Sequence, residues 1–226
     1  MDKVISLIEK HPHLYEILQE CPYRILKTML IHHFRKGEIV YRQGDYINRL
    51  YIIVQGTANI YVMSENGRKY SQAIYQKGDF IGEIEIFERE PSVSSVEALS
   101  DLILIGVDAE DFYEWISIDR HMSNHFNRSL SRYLYNLATK SGIDSLYPLK
   151  FRLCNYLIEK SKHQNGQYVV EINKKKMSEQ LAVTLRSVNR VLKDLVEKNA
   201  IAIKRDTIII LDLDILMKEK EKSMHE

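Results

Sequence analysis

The side chains best suited to chemistry lie near the C-terminus, between residues 184 and 205. Apolar residues recur there at helical spacing, which predicts an amphipathic helix with one buried face: Val188, Val191, Leu192, Leu195 and Val196. The opposite face carries side chains that can contact DNA, since Arg binds guanine or phosphate and Asn binds adenine: Arg186, Ser187, Asn189, Arg190 and Lys193. We therefore expect this helix to enter the major groove of double-stranded DNA.

The residues before this helix predict a helix-turn-helix. Asn173 is a suitable N-cap for a first helix, whose start would bring Lys175 close to DNA phosphates. The small side chain of Ala182 allows a tight turn and close helix contact. Thr184 would then cap the second helix and lie at the DNA surface.

A hairpin with a basic tip and an excess of positive charge support the same interpretation. Apolar runs at 201–203 and 207–211 flank Lys204, which would contact phosphates as part of a wing. Residues 147–226 contain 16 Lys or Arg and 11 Asp or Glu, whereas residues 1–146 contain 16 and 20. We expect an anionic partner for the C-terminal third, although a solvated surface also explains such an imbalance.

The N-terminal half must be built from different elements. Residues 2–31 carry apolar stripes at helical spacing, with Pro12 and Pro22 in first turns. From Phe34 to Val107, short β-rich runs are separated by turn residues, which is typical of an antiparallel roll, barrel or sandwich. The predicted strands are 39–41, 50–54, 57–63, 70–75, 93–99 and 102–107.

Residues 108–141 are predicted to be helical, with Asp108 as N-cap and Gly142 as the stop. One stripe in this segment has the 4, 3, 4 spacing of a heptad, which fits a dimer contact with a second copy of the helix: Phe126, Leu130, Tyr133 and Leu137. The alternative is that the same stripe packs on its own β domain.

Composition excludes several classes of protein. Cys21 and Cys154 are too few for a disulfide framework, a zinc site or an iron–sulfur site, and they fit a reducing compartment. No apolar run approaches the ~20 residues that span a bilayer, and the N-terminus lacks the pattern of a signal peptide. We expect a cytoplasmic protein without metal, cofactor or membrane contact.

Both halves resemble the Crp/Fnr family of transcription regulators. The motifs similar to its cyclic-nucleotide-binding β-roll and phosphate-binding cassette are Lys36-Gly37-Glu38-x-x-Tyr41-x-x-Gly44-Asp45, Leu50-Tyr51-x-Ile53-x-x-Gly56 and Gly78-Asp79-Phe80-Ile81-Gly82-Glu83. Those similar to its helix-turn-helix are Leu181-Ala182-x-Thr184 and Ser187-Val188-x-Arg190-Val191-Leu192-x-x-Leu195. The resemblance implies a homodimer that binds DNA half-sites one helical turn (~34 Å) apart, with RNA polymerase as a further partner.

The segment after Glu83 departs from the cyclic AMP binders of this family. Their Arg-Ser pair contacts the cyclic phosphate, but the corresponding position falls here near Ser92, and their adenine-contacting Thr-Ser corresponds to Leu137 and its neighbour. Three added carboxylates would repel a phosphate: Glu85, Glu88 and Glu90. We expect an effector other than cyclic AMP, or none, at a pocket lined by Gly82, Glu83, Ile84, Ser92, Ser94 and Leu137.

Two other classes fit part of the sequence. A cyclic-nucleotide-binding signalling module would use the roll alone, but it leaves the C-terminal third unexplained. A cupin-type metal enzyme needs clustered His and Glu ligands, and residues 39–107 contain no histidine. We therefore predict an α+β regulator without enzymatic activity. Its predicted segments are a sensor at 1–108, a dimerisation helix and hinge at 109–146, and a winged helix-turn-helix at 147–226.

Overall fold

The computed structural model describes residues 2–164 and 166–224. The chain divides into two compact units: one comprises the residues up to 67 together with 72–137, and the other comprises 68–71 and the residues from 138 onward. The predicted α+β class is confirmed, with an antiparallel roll, a long helix and a C-terminal winged helix-turn-helix.

Three short helices precede the roll, namely α1 (Asp2–Lys10), α2 (Pro12–Leu18) and α3 (Tyr23–Thr28). Pro12 stands in the first turn of α2, as predicted, and Pro22 caps α3. The prediction of helix up to residue 31 is wrong at its end. Backbone at Met29 is extended, and Leu30 pairs with Gly106 in a sheet, so the strand contact overrides the apolar helical spacing.

The strands of the roll form two four-stranded antiparallel sheets, with orders β1-β8-β3-β6 and β2-β7-β4-β5. Alternate residues of the central strand β3 enter two cores, because successive side chains point to opposite faces. Ile53 packs between the sheets, whereas Ile52 packs under the helices. The strands are β1 (Leu30–Phe34), β2 (Ile39–Tyr41), β3 (Arg49–Gln55), β4 (Thr57–Met63), β5 (Lys69–Gln76), β6 (Phe80–Ile81), β7 (Ser95–Ala98) and β8 (Leu102–Asp108).

The helical segment after the roll is divided at Asp119, which the sequence analysis missed. It forms α5 (Ala109–Ile118) and α6 (Arg120–Leu146), and a further turn of helix, α4 (Glu85–Glu88), lies within the roll. The buried carboxylate of Asp119 accepts hydrogen bonds from the Met122 N–H at 2.9 Å and the Trp115 indole at 2.8 Å. These bonds begin a new helix and fix the bend between α5 and α6.

Two predictions about the ends of this segment need correction. Asp108 is at the N-cap position of α5, but its side chain makes no capping bond and instead accepts from Arg49 at 2.6 Å. Helix α6 continues through Gly142 to Leu146. A glycine inside a helix costs only ~1 kcal/mol relative to alanine, and Lys140 and Asp144 form an ion pair across this turn.

The C-terminal unit is a helical core with a small antiparallel sheet of order β11-β12-β10-β9. Its apolar residues gather under the helix-turn-helix, around Leu153, Leu157 and Leu195. The elements are α7 (Leu149–Lys160), β9 (Lys162–Gln164), β10 (Gln167–Glu171), α8 (Lys174–Gln180), α9 (Leu185–Glu197), β11 (Ile201–Lys204), β12 (Thr207–Ile210) and α10 (Leu213–Lys222). Among the helices described, none is long and apolar enough to cross a membrane.

Candidate nucleic-acid interface and roll interior

Side-chain caps fix the start of both helices in the helix-turn-helix. The Asn173 side chain accepts a hydrogen bond from the Lys176 N–H at 2.9 Å. The Thr184 hydroxyl oxygen accepts from the Ser187 N–H at 3.1 Å, and the two hydroxyl oxygens are 3.0 Å apart. Each cap satisfies a backbone donor that has no partner inside its helix. Thr184 and Ser187 therefore define the N-terminus of α9 as well as lying at its surface.

The polar face of α9 is exposed and its apolar face is buried. Val188, Val191, Leu192 and Leu195 belong to the core of the C-terminal unit, as predicted. Val196 does not, because it is 38% exposed and the buried stripe ends at Leu195. The side chains on the outer face that are exposed to solvent are Arg186, Asn189, Arg190 and Lys193.

Two further basic residues predicted to contact DNA are exposed beside α9. Lys175 lies in the first turn of α8, and Lys204 ends β11 at the tip of the hairpin. Arg205 in this tip has left-handed backbone, with φ of 50°. The Ile172 N–H donates to the Asp206 carbonyl at 2.7 Å, which ties the tip to the start of the helix-turn-helix.

A partly buried charge cluster, not predicted from the sequence, holds α9 against α7 and α10. Lys150 and Lys198 both donate to the Glu219 carboxylate, which is 6% exposed, and both pair with Asp194 at 2.9 and 3.1 Å. Although burial by itself raises the pKa of each carboxyl, hydrogen bonds from Lys150 and Lys198 hold the pKa of Asp194 and of Glu219 below its usual range. In the sequence, the sign of this cluster is the i, i+4 spacing of Asp194 and Lys198, which favours an ion pair on one face of a helix.

Two of the buried carboxyl groups in the roll, Glu83 and Glu85, lie close to the predicted pocket. Glu83 is 8% exposed and accepts from the Tyr75 hydroxyl at 2.9 Å; Glu85 is 4% exposed and accepts from the Ser92 hydroxyl at 2.6 Å. Ser94 is also buried, and its N–H faces the Ser92 hydroxyl oxygen at 3.4 Å. The structure therefore brings Glu83, Ser92 and Ser94 together, and it adds Glu85 to them.

Gly82 is required by the backbone at this point. Its φ is 89°, and an added Cβ would lie 2.6 Å from the Arg49 carbonyl oxygen. Two predicted pocket residues do not face the interior: Ile84 is 49% exposed and Leu137 is 45% exposed. In this chain α4 directs Ile84 outward and Leu137 lies on the outer face of α6, so their place in an effector pocket stays a prediction.

Burial and the neighbouring carboxylates control the protonation of Glu83. Burial, followed by the charges of Glu85 and Asp79, raises the pKa of Glu83 to about 7, despite a hydrogen bond from Tyr75. Burial likewise raises the pKa of the Tyr41 hydroxyl, which faces both Glu85 and Glu83. The groups around Glu83 thus disfavour a further negative charge.

The first half of α6 packs on the roll. Phe126 is 2% exposed, and its ring lies 5.2 Å from the Phe80 ring and 5.0 Å from the Phe112 ring. Tyr133 stacks on Tyr75 at 4.6 Å, accepts from the Phe80 N–H and donates to Asp79. The prediction that Phe126 contacts a second copy is therefore wrong, because its side chain is buried in its own unit. Tyr133 is partly exposed, and its contact with a second copy stays a prediction.

An apolar surface stripe remains on α6. Leu134 is 69% exposed, Leu137 is 45% exposed, and Leu130 is half-buried beside the roll core. Their spacing of 4 and 3 is that of a heptad seam. The heptad pattern in the sequence therefore covered two adjacent faces, one buried within the unit and one exposed.

Comparisons with known proteins agree with both halves of the fold. The family model described as a cyclic nucleotide-binding domain matches residues 31–119, and the model described as a Crp-like helix-turn-helix domain matches residues 151–219. The first match spans the strands of the roll, and the second spans the helix-turn-helix and the hairpin that follows it.

Similar proteins span most of the chain. A CRP-like cAMP-activated global transcriptional regulator of Mycobacterium tuberculosis is 22% identical over 189 residues, which is 81% of this chain and 84% of the relative. A CRP-family transcriptional regulator from Thermus thermophilus has a TM-score of 0.68 and 21% identity, covering 85% of this chain and 98% of that one.

The c-di-GMP responsive global regulator CLP of Xanthomonas campestris has a TM-score of 0.74 and 16% identity, covering 94% of this chain and all of that one. At these identities the solved structures support the fold, and the two family models identify its halves. A cyclic-nucleotide-binding-type roll followed by a Crp-like helix-turn-helix makes this chain a member of the Crp/Fnr family of transcription regulators.

Proposed function

We propose that this regulator binds a two-fold operator in double-stranded DNA as a homodimer, in the cytoplasm and with RNA polymerase as a further partner. The observation that carries the proposal is α9, whose apolar face is buried while Arg186, Asn189 and Arg190 are exposed. A helix with this division can enter the major groove without exposing its core. Lys175 and Lys204 lie on flanking elements and would bind phosphates.

The proposed dimer contact is the exposed stripe of Leu130, Leu134 and Leu137. A two-fold pairing of α6 would bury these side chains against their own copies. Leu130 and Leu137 belong to the stripe predicted from the sequence, and Leu134 replaces Phe126. A homodimer would contain two copies of α9, one for each half-site of a two-fold operator.

The proposal includes an effector other than cyclic AMP, or no small-molecule effector at all. Glu83 and Glu85 are both buried in the roll interior, where a phosphate would meet two carboxyl groups. The Arg89 side chain is 74% exposed and its backbone is left-handed, so it does not neutralise them. Related regulators are named for cAMP and for c-di-GMP, so the shared fold does not assign one effector.

The interface is tested with Arg186→Ala and Arg190→Ala. An operator is first selected from a random DNA pool with the wild-type protein, and affinities are measured by fluorescence anisotropy. Each substitution should weaken operator binding by ~1–3 kcal/mol, the contribution of a good base contact. Lys218→Ala is the matched control, because it removes one exposed positive charge from α10 without altering α9. Unchanged operator affinity in both arginine variants would refute the assigned face.

The wing is tested separately with Lys204→Ala. If Lys204 contacts a phosphate, the substitution should weaken binding to the operator and to a random-sequence duplex by the same factor. It should also reduce the slope of affinity against salt by about one ion. An operator-specific loss would instead make Lys204 a base-reading residue.

Calorimetric titration of the protein with cyclic AMP tests the effector proposal. We expect no heat of binding and no change in operator affinity. Tight binding of cyclic AMP with no binding to any duplex at low salt would instead support a signalling module that acts through the roll alone.

A further inference from the structure

The end of α8 is held by side chains rather than by backbone alone. The last carbonyls of a helix lack partners within it. In α8, the Ser178 and Glu179 carbonyls accept from the Val183 and Ala182 N–H groups at 3.0 and 3.4 Å, which is the Schellman arrangement. Ala182 occupies the left-handed position of this motif, with φ of 55°, where glycine is usual.

The next two carbonyls are bound by basic side chains from other helices. Lys140 Nζ of α6 donates to the Gln180 carbonyl at 2.9 Å. Arg152 Nη1 of α7 donates to the Leu181 carbonyl, also at 2.9 Å. Positive charge at a helix C-terminus is favourable because the unpaired carbonyls there carry partial negative charge. These two bonds lie directly before the turn that leads into α9.

Asp144 holds both cations in place. Its Oδ2 lies 3.0 Å from Lys140 Nζ, and its Oδ1 accepts from Arg152 Nη1 at 3.1 Å. The Tyr70 hydroxyl, grouped with the same compact unit, donates to Oδ2 at 2.6 Å. The carboxylate thus connects one turn of α6 to the first turn of α7 and, through both cations, to the end of α8.

Because this cluster is buried, the Asp144 carboxylate is needed to balance the charge of the Arg152 guanidinium. The side chains of Arg152 and Asp144 are 12% and 16% exposed, and Arg152 Nε is buried without a hydrogen-bond partner among the described residues. Burial by itself raises the pKa of Asp144, but hydrogen bonds from Tyr70 and Lys140 hold this pKa below its usual range. The carboxyl group is therefore ionised at neutral pH. Without that charge, a buried guanidinium would lose its only carboxylate in the cluster and shift.

We propose that Asp144 is a positioning residue for sequence-specific DNA binding, because it fixes Lys140 and Arg152 on the end of α8 and thereby sets the direction in which α9 leaves the turn. The inference rests on the proposed role of α9 in reading DNA. It also assigns Lys140 and Arg152 to internal contacts, so neither cation neutralises a DNA phosphate.

Asp144→Asn is the first test, with Asp214→Asn as the matched control for removing one carboxylate from the same unit. Affinities are measured for the operator selected by the wild-type protein and for a random-sequence duplex of equal length. We expect Asp144→Asn to lower the ratio of operator to random-sequence affinity about tenfold. The salt slope and the circular dichroism of the folded protein should stay as in the wild type.

Two further variants keep the test decisive if Asp144→Asn folds poorly. Lys140→Gln removes one carbonyl contact from a side chain that is 27% exposed, and it should lower the same ratio by a smaller factor. Asp144→Glu, which keeps the charge, should restore most of the specificity. A purely structural role would lower both affinities by one factor, because only the folded fraction would change.

The inference is overturned if the ratio is unchanged in both Asp144→Asn and Lys140→Gln, or if the Lys140 variant loses about one ion from its salt slope. Failure of the proposed function would look different, since the wild-type protein would then select no operator from the pool.

Discussion

At the scale of single residues, the buried carboxyl groups of Glu83 and Glu85 in the roll have different partners. Glu85 accepts a hydrogen bond from a serine hydroxyl, and Glu83 accepts one from Tyr75, which stacks on Tyr133 of α6. Glu83 is therefore linked to α6 by its hydrogen bond from Tyr75 and by the stacking of Tyr75 on Tyr133. The sequence places four glutamates in this segment, and no local pattern distinguishes the two that are buried, Glu83 and Glu85, from Glu88 and Glu90.

Gly82 provides a prediction at this scale. Gly82→Ala should destabilise the roll by ~1–2 kcal/mol for left-handed backbone and by a further ~1–3 kcal/mol for overpacking against the Arg49 carbonyl, as measured by urea denaturation. Gly37→Ala is the matched control, since Gly37 has φ of 90° with open space around it. The difference between the two variants isolates the close approach. Equal losses would show that the Arg49 carbonyl moves aside freely.

At the scale of elements, α6 shows how one helix serves two surfaces. Its first half contributes Phe126 to the aromatic core of the roll, and its exposed side presents Leu134 and Leu137. A stripe with heptad spacing predicts a packed face, but the partner of that face depends on which surface is nearby. Here the rings of Phe80 and Phe112 occupy the position that the sequence analysis assigned to a second copy.

Leu134→Glu tests the surface that remains. Because Leu134 is 69% exposed, the substitution should leave the roll folded, while two glutamates facing each other across a two-fold axis should dissociate the dimer. Sedimentation velocity should report a monomer. Asn136→Glu adds the same charge to another exposed position of α6 and should remain dimeric. A Leu134→Glu protein that sediments as a dimer would place the contact elsewhere, and a monomeric wild-type protein would refute the proposed dimer.

At the scale of the whole molecule, the shifted carboxyl groups of the two units should respond to pH in opposite directions. Glu83 has its pKa raised from 4.5 to about 7, so its contribution to roll stability is present below pH 4.5 and is lost as the pH rises toward 7. In the C-terminal unit the pKa of Asp144, Asp194 and Glu219 is lowered, so their contribution is present above about pH 4.5 and is lost as the pH falls.

Differential scanning calorimetry at a series of pH values measures this directly. Burial lowers the pKa of three histidines of the roll, His13, His32 and His125, and these act in the opposite direction to Glu83 between about pH 5 and 7. The contribution of Glu83 is therefore read from the difference between the wild type and Glu83→Gln. The transition temperature of the wild type relative to that of Glu83→Gln should fall between about pH 5 and 7, and below about pH 4 both proteins should lose stability as the C-terminal carboxylates are protonated. A difference between the two proteins that does not change with pH would contradict the linkage of Glu83.

The sequence by itself determined the α+β class, most strands and the helix-turn-helix. Local patterns are sufficient for these elements, because alternation, helical periodicity, glycine turns and caps such as Asn173 and Thr184 act within a few residues. The same patterns failed where a distant contact decided the outcome, as at Leu30, which pairs with Gly106 in the sheet.

Only the tertiary structure decided which of several similar side chains are buried, which are exposed and which residues they contact. It buried Glu83 and Glu85, directed Ile84 and Leu137 outward, and gave Phe126 to the roll. It also brought Lys140 and Arg152 to the Gln180 and Leu181 carbonyls at the end of α8. Charge pairing and burial join residues far apart along the chain, and no local periodicity records which of them will meet.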